Sequence, residues 1–122
     1  MIATRRVLVV EDDPTLRTVV AMILEDEGFA VETAVHGCEA LAKAQRRLPD
    51  IVIIDLMMPI MSGWEFIEAW RSDSATRHIP IVVVSAAYPA TTAEALGVHA
   101  VLRKPFDIER LLTILPTLDS EA

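Results

Sequence analysis

Apolar runs alternate along the chain with stretches of helical period. Arg6 to Val10 (RVLVV), Ile51 to Ile54 (IVII), Ile81 to Val84 (IVVV) and the shorter Ala100 to Arg103 are close to continuously apolar. Short β-branched runs bounded by turn residues predict strands covered on both faces. Phe29 to Ala34 predicts a further, weaker strand. After the polar turn Glu11-Asp12-Asp13, Pro14 suits the first turn of a helix, where its missing N–H costs nothing. In that helix Leu16, Val19, Val20, Ile23 and Leu24 fall on one stripe, and Gly28 ends it. A second helix is predicted over Gly37 to Leu48, buried through Ala40, Leu41, Ala44 and Leu48. Ser62 is placed to cap a third, which carries Trp64, Ile67 and Trp70. A short helix is expected over Thr91 to Leu96 with Gly97 as its stop. Asp107 would cap the last, with its stripe at Ile108, Leu111, Leu112 and Leu115.

This alternation predicts an α/β fold: a doubly wound five-stranded parallel sheet with five helices, in the flavodoxin-like order 2-1-3-4-5. The chain of 122 residues has the size of one domain. No linker, repeat or low-complexity tract interrupts it. The expectation is a single domain over 1–122, with a core of about 5–117 and no output domain in this chain.

Composition changes that picture little, but charge and cysteine use narrow it. A hydrophobic fraction of 52% is globular, and a net charge of −7 argues against non-specific nucleic-acid binding. The pairs Arg5-Arg6 and Arg46-Arg47 are too short to form a basic patch. Cys38 has no partner for an internal disulfide, which fits a reducing compartment. Charges interrupt every apolar run before membrane-spanning length, and no secretory signal is visible. Soluble, cytoplasmic placement is the expectation.

Polar residues at the ends of apolar strands carry the chemistry. Asp12 and Asp13 follow the first strand, Asp55 ends the third, Ser85 the fourth and Lys104 the fifth. All lie at carboxyl ends, where open parallel sheets bind ligands. With the first and third strands adjacent, three carboxylates converge, and their repulsion calls for a cation among them. Oxygen ligands that leave room for water suit Mg²⁺ (or Mn²⁺). A carboxylate nucleophile, a divalent ion, a lysine and a hydroxyl are the parts for moving a phosphoryl group onto Asp55.

Four motifs stand in order: VLVVEDDP at Val7 to Pro14, DLMMPIMSGWEF at Asp55 to Phe66, Ser85-Ala86, and KPF at Lys104 to Phe106. In these the chain resembles the receiver domain of two-component response regulators over nearly its whole length. The resemblance implies that Asp55 is phosphorylated from a sensor histidine kinase or a histidine phosphotransfer protein. It also implies that Asp12 and Asp13 hold the metal with the main-chain carbonyl of Met57, and that Ser85 and Lys104 contact the phosphoryl group. The Lys104-Pro105 bond would be cis. Met57 and Ala87 would flank the path of attacking water, and neither is polar. Where receivers carry a switching Tyr or Phe this chain has Val101, with Tyr88 as a replacement aromatic. The segment from Ser85 to Lys104 is short, so the fourth helix is expected to be truncated. Such a domain signals by protein contact and catalyses only its own phosphorylation and dephosphorylation.

Two rival readings fit the same architecture. A flavodoxin-like electron carrier needs a hydroxyl- and glycine-rich first turn to cradle the flavin phosphate, whereas this turn is Glu-Asp-Asp-Pro. A degenerate receiver acting only as a protein-binding module would not require Asp12, Asp13, Asp55, Ser85 and Lys104 together.

Overall fold

The computed structural model describes residues 5–86, 93–104 and 108–118. In chain order the elements are β1 (Arg6–Val10), α1 (Pro14–Asp26), β2 (Ala30–Ala34), α2 (Gly37–Arg46), β3 (Ile51–Asp55), α3 (Gly63–Ser72), β4 (Ile81–Ser85), α4 (Ala93–Leu96), β5 (Ala100–Arg103) and α5 (Ile108–Leu118). The strands form one parallel sheet in the order β2-β1-β3-β4-β5, as the alternation predicts. The fourth helix is short: α4 as described covers four residues.

Alternation along each strand divides the core in two. Leu8, Val10, Val52, Ile54, Ile81 and Val83 face α2 and α3, and pack with Ala40, Ala44, Phe66 and Trp70. Val7, Val9, Ile51, Ile53, Val82 and Val84 face the other way, onto Val20 and Leu24 of α1 and Leu111 and Leu115 of α5. Because both faces are covered, β3 and β4 carry no polar residue until they reach the carboxyl edge, and β1 carries none after Arg6. Residues there are free to do chemistry, since packing no longer requires them to be apolar.

Two helix expectations need correcting. Leu48 is exposed and lies beyond α2, which ends at Arg46. Leu48 precedes Pro49, whose ring disfavours helical backbone at the residue before it. Val19 is exposed too: neighbouring helix positions differ by about 100°, so Val19 looks away from the face that buries Val20. Trp64 is likewise exposed, while Trp70 stacks on Phe66 with ring centroids 5.0 Å apart. Two positions along the helix place Trp64 about 200° from Phe66.

Candidate functional site

The register brings the site together. Val10 of β1 pairs with Ile54 of β3, so the next residues, Glu11 and Asp55, stand side by side at the carboxyl edge. On the other flank Asp55 pairs with Val84, and Ser85 follows it with Arg103 of β5 as its partner. Lys104 is the next residue, and its N–H donates to the Ser85 carbonyl at 2.9 Å. Four neighbouring strands thus deliver their end residues to one rim.

At that rim Asp55, Ser85 and Glu11 are all buried. Lys104 Nζ donates to Oδ2 of Asp55 at 2.7 Å and to Oε1 of Glu11 at 3.0 Å. The other Asp55 oxygen, Oδ1, accepts from the Met57 N–H at 3.0 Å. Glyless packing would fail just beyond it: a Cβ on Gly63 would lie 2.7 Å from the Asp55 carbonyl oxygen. With hydrogen alone at that position, the N-terminus of α3 rests on the Asp55-Leu56 backbone, and Gly63 N–H bonds the Leu56 carbonyl at 2.9 Å. Ser62 and Glu65 close the same helix end with a reciprocal capping box.

Carboxylate oxygens of Glu11, Asp12 and Asp55 lie within 4.8 Å of one another. This grouping differs from the expected pair of Asp12 and Asp13. Asp13 sits outside the cluster, because its Oδ1 accepts from the N–H groups of Thr15 and Leu16 and caps α1. Glu11 stands in the cluster instead, a residue that the sequence places only in a polar turn. The available signal was register: Glu11 continues the apolar run of β1 by one residue, as Asp55 continues that of β3. Three carboxylates against one ammonium leave negative charge uncompensated, and hard oxygen donors of this kind fit Mg²⁺ or Mn²⁺.

Electrostatics follow the same geometry. Burial pushes the Glu11 carboxyl above its ordinary 4.5, although the Lys104 ammonium and the Asp13 N–H both pull it back. Burial acts to lower the Lys104 ammonium, but its bonds to Asp55 and Glu11 outweigh that and raise it above 10.5.

Among the remaining predicted residues, Val101 is half-buried in β5 and, like Leu96 and Val98, packs against the α2–α3 side of the core. Met57 has its side chain exposed. Tyr88, Ala87, Pro105 and the expected cap Asp107 lie outside the described residues. His36 caps α2, its Nδ1 accepting from the Glu39 N–H at 3.1 Å.

A five-stranded doubly wound sheet with acidic residues and a lysine on its carboxyl rim is the arrangement that the resemblance to receiver domains predicts. The profile of the response regulator receiver domain matches residues 7–116, and the chain belongs to that family. It is the receiver domain of a two-component response regulator system, a signalling rather than a classical enzymatic module. It is 33% identical over 110 residues to the DNA-binding dual master transcriptional regulator RpaA of Synechocystis, covering 88% of this chain and 46% of that protein. Over 117 residues it is 36% identical to the response regulator Rre1 of the same organism, covering 91% of this chain and 50% of that one. The chain therefore spans about half the length of these curated relatives. Among solved structures, the chemotaxis response regulator CheY4 of Vibrio cholerae superposes with a TM-score of 0.85 at 38% identity, covering 95% of this chain and 99% of that one. Among the described residues no helix is long and apolar enough to cross a membrane.

Proposed function

We propose that Asp55 is the phosphoryl acceptor of this receiver, and that Glu11, Asp12 and Asp55 hold a divalent cation, Mg²⁺ or Mn²⁺. The observation that carries this is the 2.7 Å contact from Lys104 Nζ to a buried Asp55 carboxylate inside a cluster of three acids. In the transfer step an Asp55 oxygen attacks the phosphorus of a phosphohistidine on a sensor kinase or phosphotransfer protein. The P–N bond breaks, its electron pair stays on the imidazole, which takes up a proton, and Asp55 becomes an acyl phosphate. Lys104 already touches the attacking group, so a small movement lets it meet a phosphoryl oxygen, and the Ser85 hydroxyl is assigned to another. A cation held by Glu11, Asp12 and Asp55, with the Met57 carbonyl as a further ligand, would neutralise charge on the phosphoryl oxygens.

On this reading the domain works in the cytoplasm, catalyses only its own phosphorylation and dephosphorylation, and signals by protein contact. Val101 is short, β-branched and packed against the α2–α3 side of the core, which supports a switch confined to the segment after Ser85 rather than an aromatic rotamer flip. Tyr88 in that segment is the aromatic that would take over the switching role. Incubation with acetyl phosphate and Mg²⁺ should add the mass of one phosphoryl group, and chelation of the metal should prevent it. Full phosphorylation in the presence of chelator would refute the cation's role.

A further inference from the structure

The acidic turn is held from its main chain, and by one side chain in particular. Arg17 lies one turn into α1, and its Nη1 donates to the Glu11 carbonyl at 2.9 Å and the Asp12 carbonyl at 3.4 Å. These two carbonyls belong to the peptide groups on either side of Asp12. Fixing both planes fixes the backbone of Asp12, and with it the direction in which the carboxylate leaves the chain.

Asp12 depends on this more than its neighbours do. Glu11 is anchored by its N–H to the Ala34 carbonyl at 3.0 Å and by its side chain to Lys104 and the Asp13 N–H. Asp13 is anchored by capping α1. The Asp12 carboxylate is exposed and makes no hydrogen bond among the described residues, yet its oxygen lies within 4.8 Å of those of Glu11 and Asp55. Among the described residues, nothing holds it there except its own backbone.

We infer that Arg17 is a positioning residue for the divalent-cation site, acting through the carbonyls of Glu11 and Asp12. The inference rests on the proposal that Glu11, Asp12 and Asp55 bind the cation. It opposes the simplest electrostatic expectation, because a cationic side chain near a cation site should weaken binding. Removing Arg17 therefore distinguishes the two effects by sign. Groups that orient metal ligands from behind change affinity by about 10- to 100-fold when removed.

The test is Mg²⁺ titration of the whole chain, followed by backbone amide NMR shifts, on wild type, Arg17→Met and Arg17→Lys. Thr76→Val serves as a control for general destabilisation, since it removes the bond from Thr76 Oγ1 to the Trp70 carbonyl, outside the site. Arg17→Met is expected to raise the Mg²⁺ Kd about tenfold or more, while Thr76→Val leaves it unchanged. A Kd for Arg17→Met equal to or below that of wild type overturns the inference and leaves the cation site standing. Absence of Mg²⁺ binding in wild type overturns both. Should Arg17→Met fail to fold, Arg17→Lys decides: a single ammonium in place of the guanidinium raises Kd if positioning matters, and an unchanged Kd overturns the inference.

Discussion

Lys104 Nζ lies 2.7 Å from Asp55 Oδ2 and 3.0 Å from Glu11 Oε1, so one ammonium spans two carboxylates from neighbouring strand ends. Both carboxylates are buried, and removing the ammonium leaves them facing each other. Breaking a buried pair on one side costs about 3–5 kcal/mol, and the 21% exposure of the Lys104 side chain moderates that. Lys104→Met is expected to lower the stability of the metal-free protein by about 2 kcal/mol, measured by urea unfolding. Adding Mg²⁺ should recover part of the loss, because the cation replaces the missing charge. A variant as stable as wild type without metal would show that the pair contributes nothing.

The reassignment of the acidic pair is open to a direct comparison. Glu11→Gln should weaken Mg²⁺ binding at least tenfold, as expected for loss of a charged ligand. Asp13→Asn should leave both affinity and stability near wild type, because Asn caps a helix about as well as Asp. Loss of Mg²⁺ binding in Asp13→Asn, with Glu11→Gln unaffected, would restore the original pairing of Asp12 with Asp13.

The raised Glu11 pKa makes a signed prediction for the metal-free protein. A group that binds its proton more tightly when folded contributes most below its ordinary value, here 4.5, and that contribution is lost as pH rises through the raised value. Glu11→Gln is neutral throughout. Wild type should therefore lose stability relative to Glu11→Gln as pH climbs above 4.5. Lys104 does not contribute to this trend, since its pKa lies above 10.5 and its stabilising effect disappears only as pH rises beyond that. Urea midpoints of both proteins across this range, with chelator present, provide the measurement; a constant difference between them would contradict the account.

Ile60 occupies the left-handed region at φ 72°, and the Met61 N–H donates across it to the Pro59 carbonyl at 2.8 Å. This is a γ-turn centred on a β-branched residue, a strained arrangement. The turn lets Met61 reach α2, where a Cβ on Gly37 would meet its sulfur at 2.7 Å. Ile60 itself is 75% exposed, so little burial is lost on truncation. Ile60→Gly should stabilise the domain by about 1 kcal/mol, visible as a higher Tm. A lower Tm would mean that the Ile60 side chain contributes packing that outweighs the strain.

Much of this architecture was legible because two-sided burial leaves so few choices. Ile51 to Ile54 and Ile81 to Val84 have no face that tolerates a polar residue, so Asp55 and Ser85 mark the carboxyl edge by interrupting them. Lys104 was readable from its KPF motif instead, since β5 is only partly buried and ends in exposed Arg103. Asp13 was not, since a helix cap and a metal ligand use the same residue type at the same kind of position. Separating them requires the register that sets Glu11 beside Asp55. Leu48 shows the corresponding limit in a helix: its spacing matches the stripe, but the following Pro49 has already ended the helix.

The central claim is that Asp55 receives the phosphoryl group. An aspartyl phosphate is an acyl phosphate, and borohydride reduces it to homoserine, leaving a permanent mark at the modified residue. The protein is phosphorylated with acetyl phosphate and Mg²⁺, reduced, digested and sequenced by tandem mass spectrometry. Homoserine at position 55 in wild type, and at no position in Asp55→Asn, is the predicted result. Homoserine at another aspartate in wild type, with Asp55 unmodified, would contradict the account.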